Sequence, residues 1–531
     1  MPVVSPSAQL RKVRSLAPLL LAALVSQAYA ADVSQAGTNG AAGSNGTAPA
    51  QAGTSGAAGG NISATAGSNV DTSNSATAIG GLGGNGGSGA AGTSSAVGGR
   101  AGAGAKGGNA TATAATAPLN GDAQSTANAY GGAGGAAGLA GADGGAGAGA
   151  SAAGGNGGSA VASGQASSLD YATSYVNAVG GNGGFATGAG SLAGNGGTAR
   201  ATATVTAGLS ANATASAYGG EGNTAGNANA RAIARATQVG GSAYAAAQAA
   251  ASRANVVANA DAYTRGNGTA TARSYNSFSS VGAATAHSHS AGTSGRSIVT
   301  GSTAAADGYY GIAATSATFG AGNVNTHVDL AQSPKSNGTV AYSFADGEPP
   351  LSQVADALGS HAQVAAALAA VTPQIAGIGV MGATRDAFAQ PDEKVYAADA
   401  RYAFSIDGST GIFVGLLDFT GYDSGAPIDL DFRISNFGTL LLDESFTSLT
   451  AADAYFTDHA LQLGTFSGDV DLLISFSLTS ATMQGAGISY LVATGALTSA
   501  VPEPGSWAFL LAGLGVLGML SRRHIAAKRS A

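Results

Sequence analysis

The chain has 531 residues and a mass of 50.2 kDa. Glycine supplies 86 residues and charged side chains only 9%, against usual shares of about 7% and about 25%. The formal net charge is −7 and there is no cysteine, which excludes a disulfide framework, a thiolate metal site and a thiol nucleophile.

At the N-terminus Arg11, Lys12 and Arg14 precede an apolar run over residues 16–25, followed by Ala28-Tyr29-Ala30. A basic region, a short apolar run and small residues at Ala28 and Ala30 make a signal peptidase site, so residues 1–30 are expected to be a cleaved signal peptide. The run is too short to span a bilayer, which takes about 20 apolar residues.

Residues 31–303 are rich in Gly, Ala, Ser, Thr and Asn. Between residues 31 and 170 the only aromatic is Tyr130. Alanine methyls are a poor basis for an ordinary core when a buried CH₂ contributes about 0.8 kcal/mol, so a conventional enzyme domain is excluded there. Residues 31–61 are expected to be a flexible linker and residues 62–303 a repeat region. A recurring unit ends in an apolar residue and a glycine pair, at Ile79-Gly80-Gly81, Tyr130-Gly131-Gly132, Val179-Gly180-Gly181 and Tyr218-Gly219-Gly220. The steps between its apolar residues are 51, 49 and 39, and their inequality points to a loose array rather than a rigid solenoid. Ala-Thr runs such as residues 199–205 have the period of a strand. Ordering costs about 1–2 kcal/mol per residue of backbone entropy, so an ordered β-repeat and a flexible low-complexity stalk both fit, with order increasing towards Arg200, Arg231, Arg235, Arg253, Val256, Val257 and Tyr263.

Chemical motifs in this region are weak. Residues 81–86 match GxGxxG, but no apolar strand precedes them, so a dinucleotide site is not expected. The aspartates are isolated, which excludes a calcium solenoid, and the pair His287 and His289 would share a strand face without closing a metal site.

Residues 304–500 read as a folded domain. Val340, Tyr342 and Phe344 alternate, as do Tyr402, Phe404 and Ile406; Leu430, Phe432 and Ile434; Leu472, Ile474, Phe476 and Leu478; and Ile488, Tyr490 and Val492. Five half-buried strands predict an antiparallel β-sandwich, with hairpin signals at Asp407-Gly408 and Ser467-Gly468. Val354, Leu358, Val364, Leu368 and Val371 predict two short helices split at Gly359 and stopped by Pro373. Asp429 with Asp431, and Asp469 with Asp471, are candidate calcium ligands near Asp418, Asp423, Asp443 and Glu444. The alternation of a half-exposed strand also accounts for them, with Arg433 available as a counter-charge. Asp458 and His459 are adjacent, which in a strand points them to opposite faces. Tyr309, Tyr310, Tyr396, Tyr422 and Tyr455 are the candidates for a glycan-stacking platform. No catalytic residue, metal ligand or cofactor is assigned.

Residues 501–531 begin with Val501-Pro502-Glu503-Pro504, continue through an uncharged apolar stretch over residues 507–520 and end with Arg522, Arg523, Lys528 and Arg529. The apolar stretch is expected to be a C-terminal transmembrane helix with the basic residues as its cytoplasmic anchor and Trp507 at the opposite interface. The three parts in this order resemble the PEP-CTERM sorting domain of exported bacterial proteins. That resemblance implies recognition of Pro502, Glu503 and Pro504 by an exosortase, a membrane-embedded processing enzyme, in a Gram-negative bacterium that makes exopolysaccharide. It implies transient anchoring in the inner membrane, then release to the cell surface or matrix. Without residues 1–30 and 505–531 the body carries 14 basic against 28 acidic residues, a poor match to nucleic acid. The sequence thus predicts a mainly β protein with two membrane signals, non-catalytic, acting as a structural or interaction protein of the surface or exopolysaccharide matrix. A carbohydrate-binding adhesin and a secreted glycan-active enzyme are the alternatives.

Overall fold

The computed structural model describes residues 31–68, 71–277, 282–292, 298–307, 311–320, 340–371, 373–385, 393–422 and 427–495. The expected signal peptide and C-terminal transmembrane helix lie outside the described residues. So do Ala28, Ala30, Pro502, Glu503, Pro504, Arg522, Arg523, Lys528 and Arg529.

The Ala-rich alternation forms fourteen strands in succession. They are β1 (Ala31–Ala36), β2 (Ile62–Ser68), β3 (Ser73–Ile79), β4 (Ala110–Thr116), β5 (Ala123–Tyr130), β6 (Ala160–Ser167) and β7 (Tyr171–Val179). They continue with β8 (Ala199–Ala207), β9 (Ser210–Tyr218), β10 (Ala228–Val239), β11 (Ser242–Ser252), β12 (Val256–Arg265), β13 (Gly268–Ser277) and β14 (Ala283–Ala291). Odd strands pair in parallel with the next odd strand, and even with the next even. Each coil of chain therefore lays one strand in each of two sheets. Alanines from both sheets meet between them, as in β8, where Ala199, Ala201, Ala203, Val205 and Ala207 are buried and the threonines between them face outward.

The apolar landmarks of the sequence stack directly: Ile79 pairs with Tyr130, Tyr130 with Val179, and Val179 with Tyr218. The steps of 51, 49 and 39 are thus the lengths of successive coils. Their inequality, expected to mean a loose array, resides in glycine-rich arms that project from one side of coils whose strands stay in register. The arms span residues 37–60, 80–109, 131–159, 180–198 and 219–227.

Within the arms backbone N–H groups donate at three-residue intervals. Gly37, Gly40, Gly43 and Gly46 donate to the carbonyls of Ile79, Leu82, Asn85 and Ser88 in the next coil at 2.7–2.8 Å. Gly81, Gly84 and Gly87 donate to Gly60, Ala57 and Thr54 at 2.8–3.0 Å. A three-residue repeat bonded to neighbouring segments is a pattern shared with packed polyproline II helices, where glycine alone fits the crowded contact. A Cβ on Gly40 or Gly84 would overlap the carbonyl of Ala57 or Ala41. Asparagines tie coil to coil as well: Asn61 Oδ1 accepts from the Asn109 N–H at 2.7 Å, and Asn109 Oδ1 from the Ser159 N–H at 2.9 Å. Residues 31–61, expected as a flexible linker, are accordingly placed as a strand followed by a hydrogen-bonded arm. Glycine and alanine lose no side-chain entropy on ordering, and hydrogen bonds between successive coils add to what their small burial contributes.

Both sheets run on into the C-terminal region. On the even sheet β15 (Val299–Asp307) pairs antiparallel with β14 and with the first half of β19 (Lys394–Tyr422). β22 (His459–Ser480), β20 (Asp429–Asn436) and β21 (Thr439–Phe446) complete that sheet. On the odd sheet β13 is followed by β16 (Gly311–Phe319), β17 (Val340–Gly347), β18 (Gln374–Thr384) and β23 (Gly485–Gly495), then by the second half of β19. The expected boundary at residue 304 falls inside β15, which joins repeat to sandwich.

The two hairpin signals prove to be one corner. Asp407-Gly408 and Ser467-Gly468 lie opposite each other, with Ile406 paired to Gly468 and Thr410 to Phe466 across a register shift. Gly408 and Gly468 have φ of 76° and 77°, letting the β19–β22 ribbon bend from one sheet into the other instead of ending. The two expected helices are α1 (Leu351–Gly359) and α2 (Ala362–Ala369). Their Ala357, Val364 and Leu368 cover Ile378, Phe413 and Leu491 on the outer face of the odd sheet, so β23 is buried along its whole length rather than on one face. A third helix, α3 (Leu449–Phe456), places Phe456 edge-on to Phe432. No described helix is long and apolar enough to cross a membrane.

Candidate functional site

Asp431, Asp443, Asp469 and Asp471 lie on outward positions of the even sheet and are engaged locally. Glu444 instead pairs with inward-facing Phe432, and Asp418, on the odd-sheet half of β19, faces His361 Nε2 at 3.2 Å. Asp471 receives both Nε and Nη2 of Arg401, at 2.5 and 2.6 Å. Arg433 reaches Asp443 at 2.8 Å and Asp431 at 3.6 Å, while Ser405 donates to Asp469 at 2.7 Å and Ser445 to Asp431 at 2.6 Å. Among the described residues no group of three or more His, Cys, Asp or Glu is placed to hold a metal ion. Asp423 lies outside the described residues. Asp458 and His459 part company: the Asp458 carboxylate accepts the N–H groups of Gln363 and Val364 at the start of α2, at 3.0 Å, and His459 Nδ1 lies 3.0 Å from the Tyr455 carbonyl.

His287 and His289 sit on the outer face of β14, where the even sheet meets the sandwich. Pairing aligns His287 with Thr303 and Thr303 with Asp399. His287 Nδ1 is 3.0 Å from Thr303 Oγ1. Burial pushes the Asp399 carboxyl up to about 6 against the Thr303 hydrogen bond, and burial holds both imidazoles below their ordinary value against the pull of Asp261. The hydroxyl lies between imidazole and carboxylate, whereas nucleophile activation needs the imidazole in the middle. Beside this row Arg231 meets Asp261 at 3.5 Å and the Arg235 guanidinium stands 5.1 Å from the Tyr263 ring centre.

Of the tyrosines proposed for a stacking platform, Tyr396, Tyr422 and Tyr455 are placed apart from one another and do not form one. Tyr396 is fully buried, Tyr455 packs between Phe446 and His459, and the Tyr422 hydroxyl donates to the Arg385 carbonyl at 3.3 Å. Tyr309 and Tyr310 lie outside the described residues.

A different aromatic array occupies the outer face of the odd sheet. Tyr130, Tyr218 and Tyr275 stand on alternate strands of one in-register row, separated by Val179 and Ala250. The neighbouring row is Asn128, Asn177, Ser216, Gln248 and Arg273. Tyr175 and Tyr244 project further along the same face and are 44% and 40% exposed. Sequence reasoning used Tyr130 and Tyr218 as repeat markers and missed the row, because parallel stacking of unequal coils is what brings them together. On the even sheet Gly67 and Ala115 leave an open depression of about 560 Å³ bordered by Gln165, Ser167, Thr204 and Thr206.

A known family model matches the C-terminal segment. Residues 500–523 are a PEP-CTERM protein-sorting motif. The PEP-CTERM motif marks an exported protein sorted by an exosortase, and it contains Pro502, Glu503, Pro504, Arg522 and Arg523. No curated protein matches the chain.

Proposed function

We propose that this chain is a non-catalytic structural and interaction protein of the cell surface or extracellular matrix, associated with exopolysaccharide in a biofilm. The observation that carries the reading is the PEP-CTERM signal on a chain whose repeat region is a hydrogen-bonded stack of coils continuous with the sandwich. Such a stack presents long regular faces rather than a cleft. The paired carboxylates and the His–Thr–Asp order favour it over a glycan-active enzyme. The row of tyrosines favours, as a second reading, an adhesin that binds carbohydrate directly.

In this reading the apolar stretch after Pro504 holds the chain in the inner membrane until exosortase acts, and the released body joins the matrix. Fractionation of producing cells tests it. The wild-type chain is expected in the surface and matrix fractions, and a variant with Pro502, Glu503 and Pro504 replaced by alanine in the inner membrane. Equal release of both would contradict the sorting step, and absence of the wild type from the matrix would contradict the association.

A further inference from the structure

We propose that the outer face of the odd sheet binds a neutral, extended polysaccharide, with sugar rings stacked on Tyr130, Tyr218 and Tyr275. This rests on the matrix reading above and assigns it a site.

Spacing is the first argument. Strands in a sheet lie about 4.8 Å apart, so tyrosines on alternate strands recur about every 10 Å along the row. That is close to the advance of two rings in an equatorially linked glycan, in which every second ring presents the same face. Aromatic rings pack against the apolar C–H face of a sugar while hydroxyls at its edge seek polar partners. The adjoining row supplies those partners one step away, as amides at Asn128, Asn177 and Gln248 and a hydroxyl at Ser216. The Tyr130 hydroxyl itself lies 3.5 Å from Asn177 Nδ2.

Charge is the second. Across β1, β3, β5, β7, β9, β11 and β13 the outward residues include only two charged groups, Asp32 at one end and Arg273 at the other. A nucleic acid or anionic polymer needs a basic footprint, and this face has none. A protein partner needs a compact apolar centre with a polar rim, whereas here Ile79, Tyr130, Val179, Tyr218, Ala250 and Tyr275 form a narrow row, flanked by a row of Asn, Ser, Gln and Arg. The even sheet differs: its outer face carries Arg200, Arg231, Arg235, Asp261 and the two histidines.

The test uses the purified full chain, with hydroxyethyl cellulose as the neutral extended probe, dextran as a neutral chain of different linkage and alginate as the anionic one. Retardation in probe-loaded native gels is expected for hydroxyethyl cellulose above the other two. Tyr130→Ser with Tyr218→Ser should weaken it by about tenfold, which corresponds to about 1.4 kcal/mol. Tyr130→Phe with Tyr218→Phe, which keeps the rings, should retain it, and so should Arg200→Ser on the opposite sheet. Circular dichroism identifies a variant that fails to fold, in which case Tyr130→Ser alone gives the answer at an exposed position. The site is overturned if ring removal leaves binding unchanged, if alginate is preferred, or if the face instead joins two copies of the chain, seen as a dimer that the same substitutions dissolve. Matrix retention of the wild-type chain in cells is scored separately. Retention with an inactive tyrosine row leaves the matrix reading standing and removes only this site.

Discussion

Gly164 and Val176 occupy facing positions across the alanine core, and a Cβ on Gly164 would stand 2.6 Å from Val176 Cγ2. Gly164 is the one glycine among the inward positions of β6, set between Ala162 and Ala166, and it makes room for Val176 and for the Ser125–Ser174 hydrogen bond of 2.9 Å. Overpacking a close-packed interior costs about 1–3 kcal/mol. Gly164→Ala should therefore destabilise the repeat by that amount in thermal unfolding, and Val176→Ala added to it should recover part of the loss. Additive losses would mean that the two residues do not share this space.

The arms offer a sharper substitution. An added methyl at Gly84 or Gly135 meets backbone carbonyls, which cannot turn aside as a side chain can. Gly84→Ala should cost more than about 1 kcal/mol, the usual helix-interior difference between these residues but with opposite sign. Leu82→Ala in the same arm should cost little, because Leu82 is exposed. Calorimetry on the two variants distinguishes a packed arm from an unstructured one, for which alanine would be neutral at both positions.

How much of this was legible depends on the period of the pattern. Leu472, Ile474, Phe476 and Leu478 alternate strongly enough to announce a strand, and all four are buried. The arms carry no such signal, since their three-residue repeat has no apolar face; the only clue is glycine at every third residue, as at Gly37, Gly40, Gly43 and Gly46. Asp407-Gly408 gave the local turn chemistry correctly and its consequence wrongly, because whether a bend ends a ribbon or redirects it depends on the partner strand, which bends at Gly468. Tyr130 and Tyr218 were visible as landmarks, but their meeting on one face requires the register between coils.

The sandwich should fail by loss of packing rather than of polar contacts. Phe476 is buried against Phe432 in the register of β20 and β22, so Phe476→Ala should cost about 3–5 kcal/mol. Asp469, bonded to Ser405 at the surface, should cost under about 1 kcal/mol on replacement by alanine. Urea denaturation of the two variants gives the comparison.

Asp399 makes stability depend on pH. Its carboxyl is raised to about 6 by burial, so its ionisation opposes folding: the penalty is absent below the unfolded value of about 4 and complete above about 6. Asp399→Asn should then stabilise the chain at pH 7.5 by about 1–3 kcal/mol, with the gain fading towards pH 4. His287 and His289 act in the opposite sense, since their lowered values withdraw stability as pH falls through about 6.5. Melting curves of Asp399→Asn and wild type from pH 4 to 7.5 show which effect governs each range.

Amide hydrogen exchange on the full chain tests the central claim, that the glycine-rich region is an ordered stack continuous with the sandwich. The amides of Gly81, Gly84 and Gly87 in the arms, and of residues 199–207 in β8, should be protected and should open together with β15, which links the two regions. Rapid, uniform exchange from residue 31 to residue 303, beside a protected sandwich, would contradict the account and leave a flexible stalk carrying a separate domain.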